Sequence, residues 1–157
     1  MIADRLGVTK AAVYHQFPTK DEIVLAAAAA ELARLEVIID TAEAEASPEQ
    51  VRETLLTQIV DLAIERRSME SSLLGDPAVA RFFARRRSFR RAVNEVMNRL
   101  YRALMGDDAG PEARVHAAML AAAISGAVMH PLVAGLDDAA LRTELLHLGR
   151  RFLDLPE

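Results

Sequence analysis

Cysteine is absent from this chain, which removes disulfides, thiol chemistry and Cys-based zinc sites together and fits a reducing cytoplasm. Aromatic residues are nearly absent too, at 4% with no tryptophan, although hydrophobic residues make up 52%. The core must therefore be built from Ala, Leu, Val, Ile and Met. Ala and Leu are the strong helix formers, so that palette favours helices. No alternating β-branched run of useful length argues for a strand. No apolar run reaches the roughly 18 residues needed to span a bilayer. The alanine run at 26–30 is too short and lies between Glu22 and Glu31. The opening residues also lack the form of a signal peptide. Signs of catalysis are missing: there is no nucleophile elbow, no Gly-rich phosphate loop, and no paired acids in an evident site. Ser125-Gly126 reads as small-residue helix packing. The four histidines, His15, His116, His130 and His147, form no HxxxH or HExxH pair, so neither a metal nor another cofactor is expected. An all-α, cytoplasmic protein that does not enter the membrane is what these absences leave.

What is present is concentrated first in residues 1–24, MIADRLGVTKAAVYHQFPTKDEIV. Residues 2–6 end one helix, and Gly7 stands where a tight turn needs positive φ. Thr9 can cap a second helix running to about Gln16, because its hydroxyl accepts an otherwise orphaned amide. Pro18 ends that run, and Thr19-Lys20-Asp21-Glu22 is a capping box opening a third helix. A small residue at Ala3, a turn glycine at Gly7 and β-branched Val13 fit a helix-turn-helix. Net charge over the chain is −4, which argues against general nucleic-acid affinity. The stretch up to Lys20 is different, since Arg5, Lys10 and Lys20 face only Asp4 there.

IADRLGV-TKAAVYHQF followed by Lys20, with the Gly7-Val8 pair and Tyr14 and Phe17, resembles the DNA-binding signature of the TetR family of one-component transcriptional regulators. The resemblance covers about the first sixth of the chain. It implies a small helix-turn-helix head, a helical body that binds an effector, and a homodimer on a palindromic operator. It also implies a further helix ahead of Ile2 that would cover Ile2, Leu6, Val13 and Phe17. Without that helix the head lacks a wall of its core. On these residues the contacts with double-stranded operator DNA fall to Thr9, Lys10, Ala11, Ala12, Tyr14, His15, Gln16 and Lys20. Thr9, Tyr14, His15, Gln16 and Lys20 would meet phosphates; Lys10, Ala11 and Ala12 would sit nearest base edges in the major groove. The plainer alternative is a solvated helix surface.

Behind the head at 1–19, a long connecting helix is expected from 20 to about 46, with Ile23, Leu35, Ile38 and Ile39 on its core side. Residues 47–157 read as an effector-binding and dimerisation body. Ser47-Pro48-Glu49-Gln50 starts a helix whose inner stripe is Val51, Leu55, Ile59, Leu62 and Met69. Phe82, Phe89, Val93, Val96, Leu100 and Leu104 share a face of the next region, with a break near Arg87-Ser88. The almost uncharged run from 112 to about 129 should be buried on several sides. Asp137 then caps a last helix.

Among these, Phe82, Phe89, Met97, Tyr101, His116 and Met119 are candidates for an effector pocket, although a Met or aromatic stripe at helical spacing is usually just core. Dimerisation is expected through the last two helices, with Ala117 and Ala121 permitting close approach and Leu141, Leu145, Leu148 and Phe152 forming an apolar seam. The arginine run Arg81, Arg85, Arg86, Arg87, Arg90 and Arg91 reads as a solvated face paired with Glu65, Glu70, Asp76 and Glu95, or as a charged rim at an effector entrance. Two other functions stay open: a helical dimer that binds a small molecule without DNA, and a small helical enzyme.

Overall fold

The computed structural model describes residues 9, 11, 15–67, 86–106 and 110–156. Within them the fold is all-α: helices α1 (Lys20–Glu43), α2 (Pro48–Arg67), α3 (Arg87–Met105), α4 (Pro111–Ala127) and α5 (Asp138–Phe152), with a single 3-10 turn at Pro131–Val133. Among the described residues there is no strand.

The helix starts follow from local chemistry. Thr19 is extended and its Oγ1 accepts from the Glu22 amide at 3.2 Å, which opens α1. Ser47 does the same for Gln50 at 3.2 Å and Asp137 for Ala140 at 2.8 Å. The predicted break near Arg87-Ser88 is where α3 begins, with Arg86 as its N-cap. Gly106, at φ +85°, turns the chain out of α3 in a conformation that only glycine adopts readily. His130 ends the run after α4, its Nδ1 accepting from the Leu132 amide at 3.2 Å. The C-terminus closes as a Schellman turn. Asp154 takes φ +52°, the Leu155 amide reaches the Arg150 carbonyl at 2.9 Å, and Leu155 is buried behind it.

Helix α2 is the hub, packing against α1, α3, α4 and α5. Its Leu55, Leu56 and Val60 are almost wholly enclosed, with Ile39 and Ala42 of α1. The second half of the connecting helix is therefore part of the body's core, and it ends at Glu43 rather than near 46. Of the expected inner stripe of α2, Leu55 and Leu62 are buried and Val51 and Ile59 half-buried; Met69 lies outside the described residues.

Two expectations fail on packing. Helix α4 is buried on one side only: Leu120 and Ile124, with Val128 just beyond, face the core, while Val115 and Met119 remain more than half exposed. On α5 the expected seam divides. Leu141 and Leu145 are buried in the core of the chain, whereas Leu148 and Phe152 are exposed. The buried ridge runs Leu141, Leu145, Gly149 and Leu153, four residues apart at each step, which is how the i±4 row of one helix seats in its neighbour. Gly149 is the point of closest approach: a Cβ there would lie 2.5 Å from Leu56 Cδ1.

Candidate functional site

At the head, the described residues are few. Ala11, His15 and Gln16 are helical and exposed, and Ala11 and His15, four apart, share a helix face. Thr9 is exposed, and Phe17 is half-buried. Lys20 is exposed as the first residue of α1, directly after the Thr19 cap, so its ammonium sits at a helix start beside the head. Lys10, Ala12 and Tyr14 lie outside the described residues. Of the arginine run, Arg81 and Arg85 lie outside them too. Arg86 pairs with Asp21 of α1 at 3.7 Å, and Arg87, Arg90 and Arg91 are exposed. Of the acidic partners expected for the run, Glu65 is bonded to Arg34 of α1, and Glu70 and Asp76 lie outside the described residues.

Between α2, α3 and α4 lies a cavity of about 480 Å³ whose wall is mainly apolar, within the range of small-molecule sites. Leu56, Ile59, Leu104, Leu120 and Ile124 supply most of that wall. Polar groups are few: Asn98, Tyr101, Ser125 and the two arginines Arg66 and Arg114. Arg114 lies over the Tyr101 ring, its guanidinium carbon 5.6 Å from the centroid. Arg66 is bonded to Glu31 of α1. A more open groove of about 610 Å³ runs along α1 and α2, edged by the Arg34–Glu65 pair and by Asp61, which pairs with Arg142. Its openness to solvent makes it the poorer container.

The expected pocket residues separate on this geometry. Met97 and Tyr101 line the cavity. His116 and Met119 do not: they sit on the opposite side of α4, where His116 packs edge-on against Phe152 with ring centroids 5.3 Å apart. Phe89 is half-buried near the start of α3 and is not part of the wall, and Phe82 lies outside the described residues. Ala117 and Ala121, expected at a dimer contact, line the cavity instead. The polar residues missed were Arg66, Asn98 and, on α4, Arg114 and Ser125. The spacing of the last two was informative, since 114, 117, 118, 121 and 125 follow a helical period and fall on one face of α4.

Helix α4 thus presents one face to the cavity and another to solvent. The solvent-facing one, with Val115, Met119 and His116, joins Leu148 and Phe152 of α5 in an exposed apolar surface. Large contiguous apolar patches on a soluble chain mark contacts with other molecules. Among the described residues no cluster of His, Asp or Glu could hold a metal, and no helix is long and apolar enough to cross a membrane.

Compared with known proteins, residues 1–27 match the family model described as bacterial regulatory proteins, tetR family. No curated protein and no solved structure matches the chain.

Proposed function

We propose that this chain, whose residues 1–27 place it with the TetR family of DNA-binding transcriptional regulators, is a cytoplasmic, ligand-responsive repressor acting as a homodimer on a palindromic operator. The observation that carries the ligand-responsive part is the apolar cavity between α2, α3 and α4, one of whose wall residues, Arg66, is bonded to the helix leading to the head. In this proposal the head at 1–19 reads DNA, α1 is the lever, and the body beyond it binds the effector and the second subunit. The exposed face of Val115, Met119, Leu148 and Phe152 supports a two-fold four-helix contact between subunits. Leu141 and Leu145 have no part in that contact, being buried within the subunit.

The mechanism is a shift of populations. An effector in the cavity favours one setting of α2 against α1, through the Arg66–Glu31 and Arg34–Glu65 pairs that join them. That setting moves the two reading helices away from the separation of one DNA turn, roughly 34–36 Å, that consecutive major grooves require. By linkage, operator weakens effector binding by the factor that effector weakens operator binding.

Selection from a random duplex library tests the DNA half. A two-fold symmetric site with half-sites one turn apart should be enriched, and its affinity should fall steeply with salt. Lys20→Ala should weaken binding to all sequences alike and flatten the salt slope, as loss of a phosphate contact does. Lys10→Ala should relax preference at one base pair per half-site, by about 1–3 kcal/mol. A library that yields no enriched sequence would favour the helical, ligand-binding dimer without DNA.

A further inference from the structure

The cavity wall carries a cation that forms no ion pair among the described residues. Two arginines reach the cavity. Arg66 is already neutralised by Glu31, so a ligand carboxylate there would have to displace a bonded partner. Arg114 has no such partner: among the described residues no carboxylate forms an ion pair with it. What holds it is the face of the Tyr101 ring, with 5.6 Å between the guanidinium carbon and the centroid. A guanidinium held over a ring by cation–π attraction spends none of its N–H donors on that contact, and its fork of donors matches a carboxylate bidentately. The cavity wall also carries Leu56, Leu104, Leu120 and the alanines of α4, an apolar surface on which the body of a ligand can lie.

We propose that the effector is an amphipathic monoanion, its apolar body lying among Leu56, Ile59, Leu120 and Ile124 and its carboxylate against Arg114. This rests on the cavity being the effector site, as proposed above, and adds the ligand's charge to it. A neutral apolar ligand would cover Arg114 without replacing the water it loses, and a cationic one would be repelled. Arg114 is the selectivity residue: it stands at the start of α4, on the face that also carries Ala117, Ala121 and Ser125, so the head group's position is tied to the helix whose other face is free for a second subunit.

The test uses a pair of ligands alike in chain length and different in charge, decanoate and decanamide, titrated calorimetrically into the full chain below their aggregation concentrations. Wild-type protein should prefer decanoate by about tenfold, equivalent to about 1.4 kcal/mol. Arg114→Gln should bind the two equally while keeping its affinity for decanamide, and Arg114→Lys should recover part of the preference. Arg114 is exposed at the helix surface, so circular dichroism of both variants should match wild type. Equal affinity of wild type for the two ligands, or a preference that survives Arg114→Gln, would overturn the assignment of charge while leaving the cavity as an effector site. Binding of neither ligand to any form would overturn the cavity itself and this proposal with it.

Discussion

Helices α2 and α4 invert what their compositions suggest. Helix α2 carries seven charged residues, Glu49, Arg52, Glu53, Asp61, Glu65, Arg66 and Arg67, yet it is the buried hub of the fold. Helix α4 carries two, Glu112 and Arg114, and is largely exposed. The difference is in how apolar residues are distributed. On α2 they form a stripe that α1, α3 and α5 close over, while the charges pair with those same neighbours: Glu53 with Arg150, Asp61 with Arg142, Arg66 with Glu31. On α4 small and apolar residues go all round, and among the described residues only Leu120 and Ile124 of the helix are buried, on one side of it. How deeply a helix is buried follows from how many neighbours pack on it: among the described residues four helices pack on α2, whereas α2, α3 and α5 meet α4.

The largest expected effect separates those two kinds of burial on a single helix. Leu145 and Leu148 of α5 are three residues apart, one buried against the core and the other more than half exposed. Leu145→Glu puts an uncompensated charge into the core, at a cost of roughly 3–5 kcal/mol, and should leave the chain unfolded by circular dichroism. Leu148→Glu should keep the helical signal and instead give a monomer in sedimentation, because its charge falls on the surface proposed to meet the second subunit. If Leu148→Glu sediments as wild type does, the outward face of α4 and α5 is not the dimer contact.

The next effect probes the seam between α2 and α5. Gly149→Val would set a branched side chain where even a Cβ lies 2.5 Å from Leu56 Cδ1, so Leu56 would have to shift, toward the cavity whose wall it helps form or with its helix. Overpacking of this kind costs about 1–3 kcal/mol, measurable as a lower urea midpoint at unchanged slope. Leu56→Ala in the same chain should recover part of the loss by making room. An undiminished midpoint for Gly149→Val would mean the two helices separate easily, and that α2 is less firmly the hub than its burial implies.

Much of this was legible before any coordinates, and unevenly so. The caps at Thr19, Ser47 and Asp137 were readable because each is a hydrogen bond within four residues of chain. The match of residues 1–27 to a family agrees with the string around Gly7, Tyr14 and Phe17. The seam on α5 was misread because Leu141, Leu145, Leu148 and Phe152 follow a coiled-coil spacing, whereas the contact with α2 follows steps of four through Gly149. A glycine contributes no hydrophobic side chain to a pattern, so the closest contact in the core left no apolar signal. For α4, side-chain size was used to choose pocket residues, which put His116 and Met119 in the cavity and Ala117 and Ala121 at the interface. In the structure Ala117 and Ala121 line the cavity, while His116 and Met119 lie exposed on the other face of α4. Large side chains fill space against a partner, and small ones leave the space that a ligand needs.

The smallest expected effect concerns the charges on α2. Arg142 and Asp61 meet through two hydrogen bonds, one of 3.1 Å from Nη2, and both side chains remain about two-fifths exposed, at 41% and 43%. Exposed pairs of this kind contribute about 0–1 kcal/mol, since water already solvates both ends. Arg142→Ala should therefore cost less than Gly149→Val, and the loss should shrink further at high salt, where screening weakens the pair in the parent. Its dependence on pH has a definite sign. The hydrogen bonds to Asp61 raise the Arg142 pKa above its ordinary value, so on the arginine side the stabilisation is fully present below that ordinary value and lost only as pH rises through the raised one. The arginine's titration thus makes the difference between wild type and Arg142→Ala no larger or smaller near neutrality. Urea unfolding of both proteins at low and high salt measures it directly. A cost exceeding that of Gly149→Val, or one that grows with salt, would mean that α2 is held to α5 by its charges more than by its stripe, and the contrast between α2 and α4 would have to be recast in electrostatic terms.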